Sequence, residues 1–536
     1  MKKLKLVCVA IAMACAAPSF AGGLLTNTNQ HVAFNRMMSR EASIGIDGVY
    51  YNPAGVVFMG DGHHLAINWQ LAYQTRTINN DYKLFTNNVN NPITPRDFKG
   101  KAFAPVIPSF QYAYNKGKWS FQASFALTGG GGKCTFDDGL GSFEKIVAET
   151  AIAACGLAGV VDQTLGNTLG QPGMEMFTSD QAFGKTGKYS FNSYMHGRQY
   201  YYGLSVGAAY KFCDNFSAFL GVRGVYALTN YYGYVENINV GNMPLYKVLD
   251  PTKESSANIE LSCDQSGVGF TPIIGVDYKT GRWNFSAKYE FKTRIRLKNK
   301  SVNQTPSIGN LPANLANQMT GILTAKYQQA GLPLEQAKQQ AENTTNAVLN
   351  DPTVGATMIG LKTQFDQKLN KAIGEYEDGK KIAGDIPAYL ALGVGYRPVD
   401  AVRVNVGFHW FDDKNATSYN NHNKELKRGT LEYNAGVEVD VNKKITLSTG
   451  WQNTNYGLSD EYMDDKSFVV SSNSVAIGGV YHINKKMDLN VAYFHTFYQH
   501  KKTTEPVQLT AEKSIDYSSD YTRNNNVFAV GLDINF

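Results

Sequence analysis

The chain of 536 residues carries a formal net charge of +6, with 18% charged side chains. For this length that is close to neutral, so the composition excludes a nucleic-acid partner, whose phosphates call for a basic face. A mean hydropathy of −0.30 and the lack of an apolar run of about 18 residues beyond the N-terminus exclude a bundle of transmembrane helices, but not a membrane β-barrel, whose lumen face and loops dilute its lipid face.

Residues 1–21 read as a secretory signal. Lys2, Lys3 and Lys5 precede an apolar stretch from Leu6 to Ala17, and Ser19-Phe20-Ala21 fits the small-x-small cleavage rule. The mature chain then starts at Gly22, and loss of the three lysines lowers the formal charge from +6 to +3. A lipoprotein reading through Cys15 is weaker, because Ala12-Met13-Ala14 makes a poor lipidation box. The next segment, 22–62, is built around residues 41–59. There Gly45, Gly48, Pro53 and Gly55 interrupt any strand, and Pro53 denies a helix its donor. Yet Ile44, Ile46, Val49, Tyr50, Val56, Val57 and Phe58 ask for burial. A compact, turn-rich, apolar stretch ahead of regular strands predicts a plug, with Asn52, Pro53 and Ala54 inside the cylinder formed by residues 63–536.

From about residue 63 the pattern alternates with period two. Leu431, Tyr433, Ala435, Val437 and Val439 alternate with Glu432, Asn434, Gly436 and Glu438, and Trp119, Phe121, Ala123, Phe125 and Leu127 alternate with Ser120, Gln122, Ser124 and Ala126. The spacing predicts fourteen strands, centred on 63–77, 104–115, 117–128, 197–212, 214–230, 267–279, 281–296, 385–397, 399–412, 428–441, 443–456, 469–483, 485–500 and 524–536. Their connections alternate between tight turns and long loops, the longest at 129–196, 231–266 and 297–384. An even strand number, segments longer than the usual globular strand, aromatics near segment ends and short turns on one side predict an all-β fold. The expected architecture is a transmembrane antiparallel barrel in the bacterial outer membrane, with both termini periplasmic. Two outer loops carry helical spacing, at 143–161 and at 313–372, the second broken near Gly331-Leu332-Pro333 and at Asp351-Pro352.

Gly129, Gly130, Gly131 and Gly132, followed by Lys133 and Cys134, do not make a phosphate loop. Leu127 stands where the first glycine belongs and Cys134 where Ser or Thr belongs. The run is either slack at the start of a surface loop or a place where the third strand bends inward and opens the wall sideways. Arg223, Lys288 and Arg403 fall on polar strand faces, where they either balance Glu290, Glu432 and Glu438 or attract a carboxylate head group. His63 and His64 suit the water interface better than a metal site. His495 and His500 point to opposite sides of their strand. Cys134 and Cys155 share an outer loop and pair only if close enough. No serine–histidine–acid signature and no cofactor motif stands out, so no enzyme activity is expected.

The segment Thr26 to Gln30, followed by Asp47-Gly48-Val49-Tyr50-Tyr51-Asn52-Pro53-Ala54-Gly55, resembles the hatch of the long-chain fatty acid and aromatic-hydrocarbon transporters of the outer membrane (the FadL/TodX type). The stretch Gly267 to Phe270, the triplet Lys288-Tyr289-Glu290, the pair Ile386-Pro387 and the Phe-terminated last strand resemble the same family. The resemblance implies a fourteen-stranded barrel closed by an N-terminal hatch, a third strand kinked inward at a lateral hole, and a capture groove between the third and fourth outer loops, here 231–266 and 297–384. It implies passive uptake of long-chain fatty acids or hydrocarbons by a monomer in contact with outer-membrane lipid and lipopolysaccharide. The long loop 129–196 departs from the family pattern. A porin-like channel for small polar solutes, or a surface adhesin or receptor barrel, are the alternatives.

Overall fold

A computed structural model describes residues 24–27, 29–306, 309–510 and 513–536, with side chains at all of these but 131, 364–373 and 510. The expected signal segment therefore lies outside the described residues. Fourteen antiparallel strands form the wall: β1 Gly62–Tyr82, β2 Arg96–Lys116, β3 Trp119–Phe136, β4 Tyr189–Cys213, β5 Phe216–Val240, β6 Ile259–Thr280, β7 Trp283–Glu290, β8 Tyr389–Val399, β9 Val402–Phe411, β10 Thr430–Asn442, β11 Ile445–Asn455, β12 Ser472–Asn484, β13 Met487–Tyr498 and β14 Lys513–Asn535. Each pairs with its neighbours in sequence, and β1 closes the cylinder against β14 from His64↔Asn535 to Tyr82↔Tyr517. Closure leaves no free sheet edge, which is what a sheet in lipid requires.

The alternation seen in the sequence is the alternation of the wall. On β6 the outward side chains Val268, Phe270, Ile274, Val276 and Tyr278 are all exposed, while Thr271, Ile273 and Asp277 between them are buried. The ten steps from Val268 to Tyr278, rising about 3.3 Å each and tilted by about 40°, span about 25 Å of height, the thickness of an apolar belt in an outer-membrane barrel. Leu220 is 68% exposed and Phe270 70% exposed, a surface that only lipid makes stable. The tight turns lie at one end, together with the C-terminus: the Phe536 amide donates to the His63 carbonyl at 2.9 Å.

The opposite end carries a helical cap. Helix α3, Gly141–Leu169, fills the loop between β3 and β4. The turn α4, Tyr246–Leu249, lies in the next long loop. Helices α5 Leu311–Gln329, α6 Leu334–Leu349 and α7 Pro352–Ile373 lie in the one after. The breaks between the last three fall at Gly331-Leu332-Pro333 and at Asp351-Pro352. Helix α3 is long and apolar enough to cross a membrane by length and composition, with a mean hydropathy of 1.4. It instead packs against α6 and α7 in the cap, which accounts for an apolar helix in an aqueous loop.

Inside the wall runs the N-terminal segment, with short helices α1 Val32–Met37 and α2 Gly48–Tyr51 and a 3-10 turn at Gly55–Met59. Val32, Phe34, Met37, Met38, Tyr51, Ala54 and Val56 are all buried. The wall admits this backbone closely where it lacks side chains. Gly436 and Gly450 lie side by side in register, and a Cβ on either would collide with the Met37 carbonyl.

Candidate functional site: the hatch, its cavity and a break in the wall

The hatch is fastened by polar groups from many strands. The Asn52 amide donates to Asp277 Oδ2 at 2.6 Å, and its Oδ1 accepts from the Gly55 amide at 3.2 Å. Gln122 donates to the Pro53 carbonyl at 2.7 Å, Ser217 to the Ala54 carbonyl at 2.7 Å, and Asn115 to the Val56 carbonyl at 2.8 Å. Asn52, Pro53 and Ala54 thus sit buried between β2, β3, β5 and β6. Further in, Arg40 reaches Asp47 at 2.7 Å and Glu438 at 3.2 Å, and Arg36 also pairs with Glu438. His409 bridges Glu41 of the hatch at 2.7 Å and Glu432 of the wall at 2.9 Å. Each pair is buried, so removing one partner would leave a charge stranded away from water.

The three cations marked from the sequence have partners within the protein. Arg223 makes a two-pronged pair with Glu290 at 2.6 and 3.0 Å. Lys288 donates to Glu290 at 2.9 Å and to the Tyr50 carbonyl at 2.7 Å, with its ammonium 4.1 Å from the centre of the Tyr50 ring. Arg403 makes a two-pronged pair with Asp440 at 2.6 and 2.7 Å. Lys288 ties the hatch to the wall through Tyr50, while Arg223 and Arg403 pair with acids of the wall itself. All four described cysteines are free, Cys134 and Cys155 included.

The glycine run lies at a discontinuity. β2 and β3 pair from Lys116↔Trp119 to Ser109↔Ala126, and pairing resumes only at Ala102↔Cys134. Between these points residues 103–108 and 127–133 do not pair with each other. β3 keeps its other neighbour, since Leu127↔Tyr202, Gly129↔Tyr201 and Gly132↔Gln199 persist with two shifts of register. The strand therefore bends away from β2 while staying with β4. Gly130 has φ +96 and Gly132 φ +74, and a Cβ at Gly130 would meet the Gln199 carbonyl. Glycine is required there. A Cβ at Gly129 would meet Leu24 of the N-terminal segment, so this part of β3 backs onto the hatch.

The β2 side of the break was not marked in the sequence, though a signal was present. Pro105 and Pro108 both lack an amide donor, so this stretch cannot ladder fully with any partner. Pairing with β1 also shifts there, between Gln70 and Ala72, and the Trp69 indole donates to the Pro105 carbonyl at 3.0 Å. Phe103 and Val106, 56% and 60% exposed, form the lip.

Behind the break lies a cavity of about 440 Å³ lined by Leu24, Ala72, Ala104, Ile107, Leu127, Gly129, Phe468, Phe494 and Val527, with Asn27, Gln74, Tyr456 and Tyr498 among the polar groups. Its outer end holds two arginines from opposite ends of the sequence, Arg76 on β1 and Arg523 on β14, directly opposite in register. Both guanidiniums reach Gln74 Oε1, at 3.3 and 2.8 Å, and Arg523 also reaches the Phe468 carbonyl at 3.4 Å, leaving its buried Nε without a partner. Among the described residues neither arginine forms an ion pair. A second, smaller apolar cleft of about 60 Å³ lies in the cap, where Ala153, Leu157 and Val161 of α3 face Leu245, Val248 and Leu249 around α4 and Leu311 and Leu315 of α5.

No family profile and no curated protein matches the chain. Solved structures do. A FadL homologue of Pseudomonas aeruginosa superposes with a TM-score of 0.58 over 96% of this chain and all of the other, at 13% identity. The toluene transporters TodX of P. putida and TbuX of Ralstonia pickettii align over 92% and 94% of this chain, and over 94% and 97% of their own, at 13% identity and TM-scores of 0.48 and 0.47. The fold is that of the FadL-type channels. A FadL-type barrel with this lipid-facing belt is a protein of the bacterial outer membrane. The long loop 129–196 contributes α3 to the cap, so the apolar cleft is lined from three outer loops.

Proposed function

We propose that this FadL-type barrel takes up amphipathic hydrophobic molecules with an anionic head, of which long-chain fatty acids fit the cavity best. The observation that carries the reading is the juxtaposition of three things: a break in the β2–β3 ladder, a cavity behind it with one apolar side formed by Leu24, Ala104, Ile107 and Leu127, and two arginines without carboxylate partners at its outer end. The apolar cleft among α3, α4 and α5 takes the molecule from the outer surface by burial, worth about 25 cal/mol per Å². The carboxylate then moves to Arg76 and Arg523, and the chain lies along Leu24, Ile107 and Leu127. Release is sideways, between residues 103–108 and 127–133, into the lipid around the barrel. No covalent step and no energy source is needed.

A porin-like path for polar solutes has less support, because the hatch fills the lumen and is fastened by buried ion pairs. The test is binding by the purified barrel. R76Q/R523Q should weaken a labelled long-chain fatty acid by about a hundredfold, the loss of two charge-assisted hydrogen bonds. Toluene binding should stay within twofold of the unsubstituted barrel. Fatty-acid binding unaffected by the double substitution would remove the head-group assignment. Polar-solute flux through an intact hatch would favour the porin.

A further inference from the structure

The outer face of the barrel carries a basic stripe that the channel reading does not use. Beyond β7 the chain continues upward as the strand Arg296–Gln304, pairing with Glu260 to Ser266 of β6 and, on its other side, with the short strand Lys381–Ala383. The alternation of that extension places Ile295, Leu297 and Asn299 inward and Arg294, Arg296, Lys298 and Lys300 outward, all four exposed. Lys298 lies directly opposite the exposed Lys381.

Such an arrangement is unfavourable by itself. Like charges facing each other across a ladder repel. Of the nearby acids, Asp385 pairs with Arg296 at 2.8 Å and Glu375 with Lys380 at 2.8 Å; Asp264 lies opposite Lys300 in the ladder and accepts from the Asn230 amide at 2.8 Å, and Asp378 accepts from the Ser301 amide at 2.8 Å. Among the described residues Arg294, Lys298, Lys300 and Lys381 form no ion pair.

The position of the stripe selects its counter-ion. Directly below it the same outward face carries Val268, Phe270 and Phe291, all exposed, which are the top of the lipid-facing belt. An anion at Lys298 therefore has hydrocarbon beneath it. Lys298 and Lys300 are two residues apart on one face, about 7 Å, and the cross-strand Lys381 is about 5 Å from Lys298. That spacing suits a head group bearing more than one phosphate better than a single charge.

The geometry points to a docking site for a phosphorylated glycolipid of the outer leaflet, of the lipopolysaccharide type, with its phosphates held by Lys298, Lys300 and Lys381 and its acyl chains against Phe270 and Phe291. The site faces lipid and does not connect with the cavity behind β2 and β3, so it stands or falls apart from the transport reading.

The experiment uses the full-length barrel in detergent, with bound bisphosphorylated glycolipid measured by native mass spectrometry. K298Q/K300Q/K381Q should bind it about tenfold or more weakly, since several charge-assisted contacts are lost. K443Q/K444Q/K485Q, which removes three lysines from the periplasmic turns, should bind it like the unsubstituted protein. Enzymatically dephosphorylated glycolipid should bind all three barrels equally weakly. Equal binding of the bisphosphorylated form by all three proteins would overturn the site. Competition by millimolar inorganic phosphate would overturn the lipid assignment, and so would equally tight retention of phosphatidylglycerol. Fatty-acid binding and heat-modified gel mobility should be unchanged in the rim variant, which separates a lost lipid site from a lost barrel.

Discussion

The inward-facing cations fall into two groups, and a single side chain in each predicts a different loss. Arg223 is buried against Glu290 and Lys288. Arg223→Leu leaves the Glu290 carboxylate short of half its compensation, and breaking a buried pair costs about 3–5 kcal/mol. The expected outcome is a clear fall in the thermal midpoint, with fatty-acid affinity of the folded fraction unchanged. Arg76→Gln should do the reverse. Arg76 has no ion-pair partner among the described residues, so the substitution should leave the melting curve in place and weaken fatty-acid binding about tenfold, the value of one charge-assisted contact. Calorimetry and ligand titration on the same two variants check this exchange. In the sequence all these residues look alike, a cation on a polar strand face. What separates them is the partner, and Glu290 lies 67 residues from Arg223, a distance over which a period-two pattern carries no information.

The elements were legible where one period persists. The fourteen strands could be read because lipid imposes an apolar outer face on every second residue over the whole belt, and the cap helices because proline and glycine punctuate them at Gly331-Leu332-Pro333 and Asp351-Pro352. The break in the wall was half legible. The glycines of β3 announce it, while Pro105 and Pro108 hide in a stretch that otherwise alternates. The arginine pair was not legible, since β1 and β14 meet only when the barrel closes. The hatch gives the prediction that belongs at this scale. Asn52→Leu removes the amide that donates to Asp277 Oδ2 and the acceptor for Gly55, while Asn284 still donates to Asp277 at 2.9 Å. The hatch should loosen without the wall melting, and single-channel recordings should show ion conductance that the unsubstituted protein lacks. Silent bilayers would mean that the remaining fastenings, Gln122, Ser217 and Asn115, suffice. The cap has a pH dependence of its own. Asp465, in the loop before β12, is buried; burial pushes its pKa above 3.8 and neighbouring Asp464 adds to this, against the Ser142 amide and Tyr521 hydroxyl that donate to it. A carboxyl whose pKa is raised by folding makes the native state most stable below 3.8, with that advantage lost as pH rises through the raised value. Protease nicking of this loop should therefore become faster as pH rises above 3.8. Asp465→Asn, which keeps an acceptor and drops the charge, should flatten that dependence.

At the scale of the whole molecule, the proposed route has the cavity communicate with lipid through the break between β2 and β3, and this can be tested directly. A valine at Gly130 is a poor probe, because φ is +96 and its Cβ would strike the Gln199 carbonyl, so loss of uptake would be confused with loss of folding. A bond across the break is better. A Cβ built at Gly132 lies 3.6 Å from the Ala104 Cβ, close to the separation of about 3.8 Å that a disulfide prefers. A cysteine at 132 would hold φ near +74 at a cost of about 1–2 kcal/mol, which a closed barrel tolerates. Cys134 is changed to serine in the same protein, so that the new thiols have only each other nearby. Oxidised A104C/G132C should then tie β2 to β3 across residues 103–108 and 127–133 and cut cellular uptake of a labelled long-chain fatty acid at least tenfold. Reduction should restore it, and A104C alone should behave as the unsubstituted barrel under both conditions. Capture at the outer cleft should persist in the oxidised form, because α3, α4 and α5 are untouched, and fatty acid should accumulate on the cell surface. If uptake continues in the oxidised barrel, the cargo leaves past Asn52 and the periplasmic end of the hatch, and Asn52→Leu should then raise uptake together with conductance.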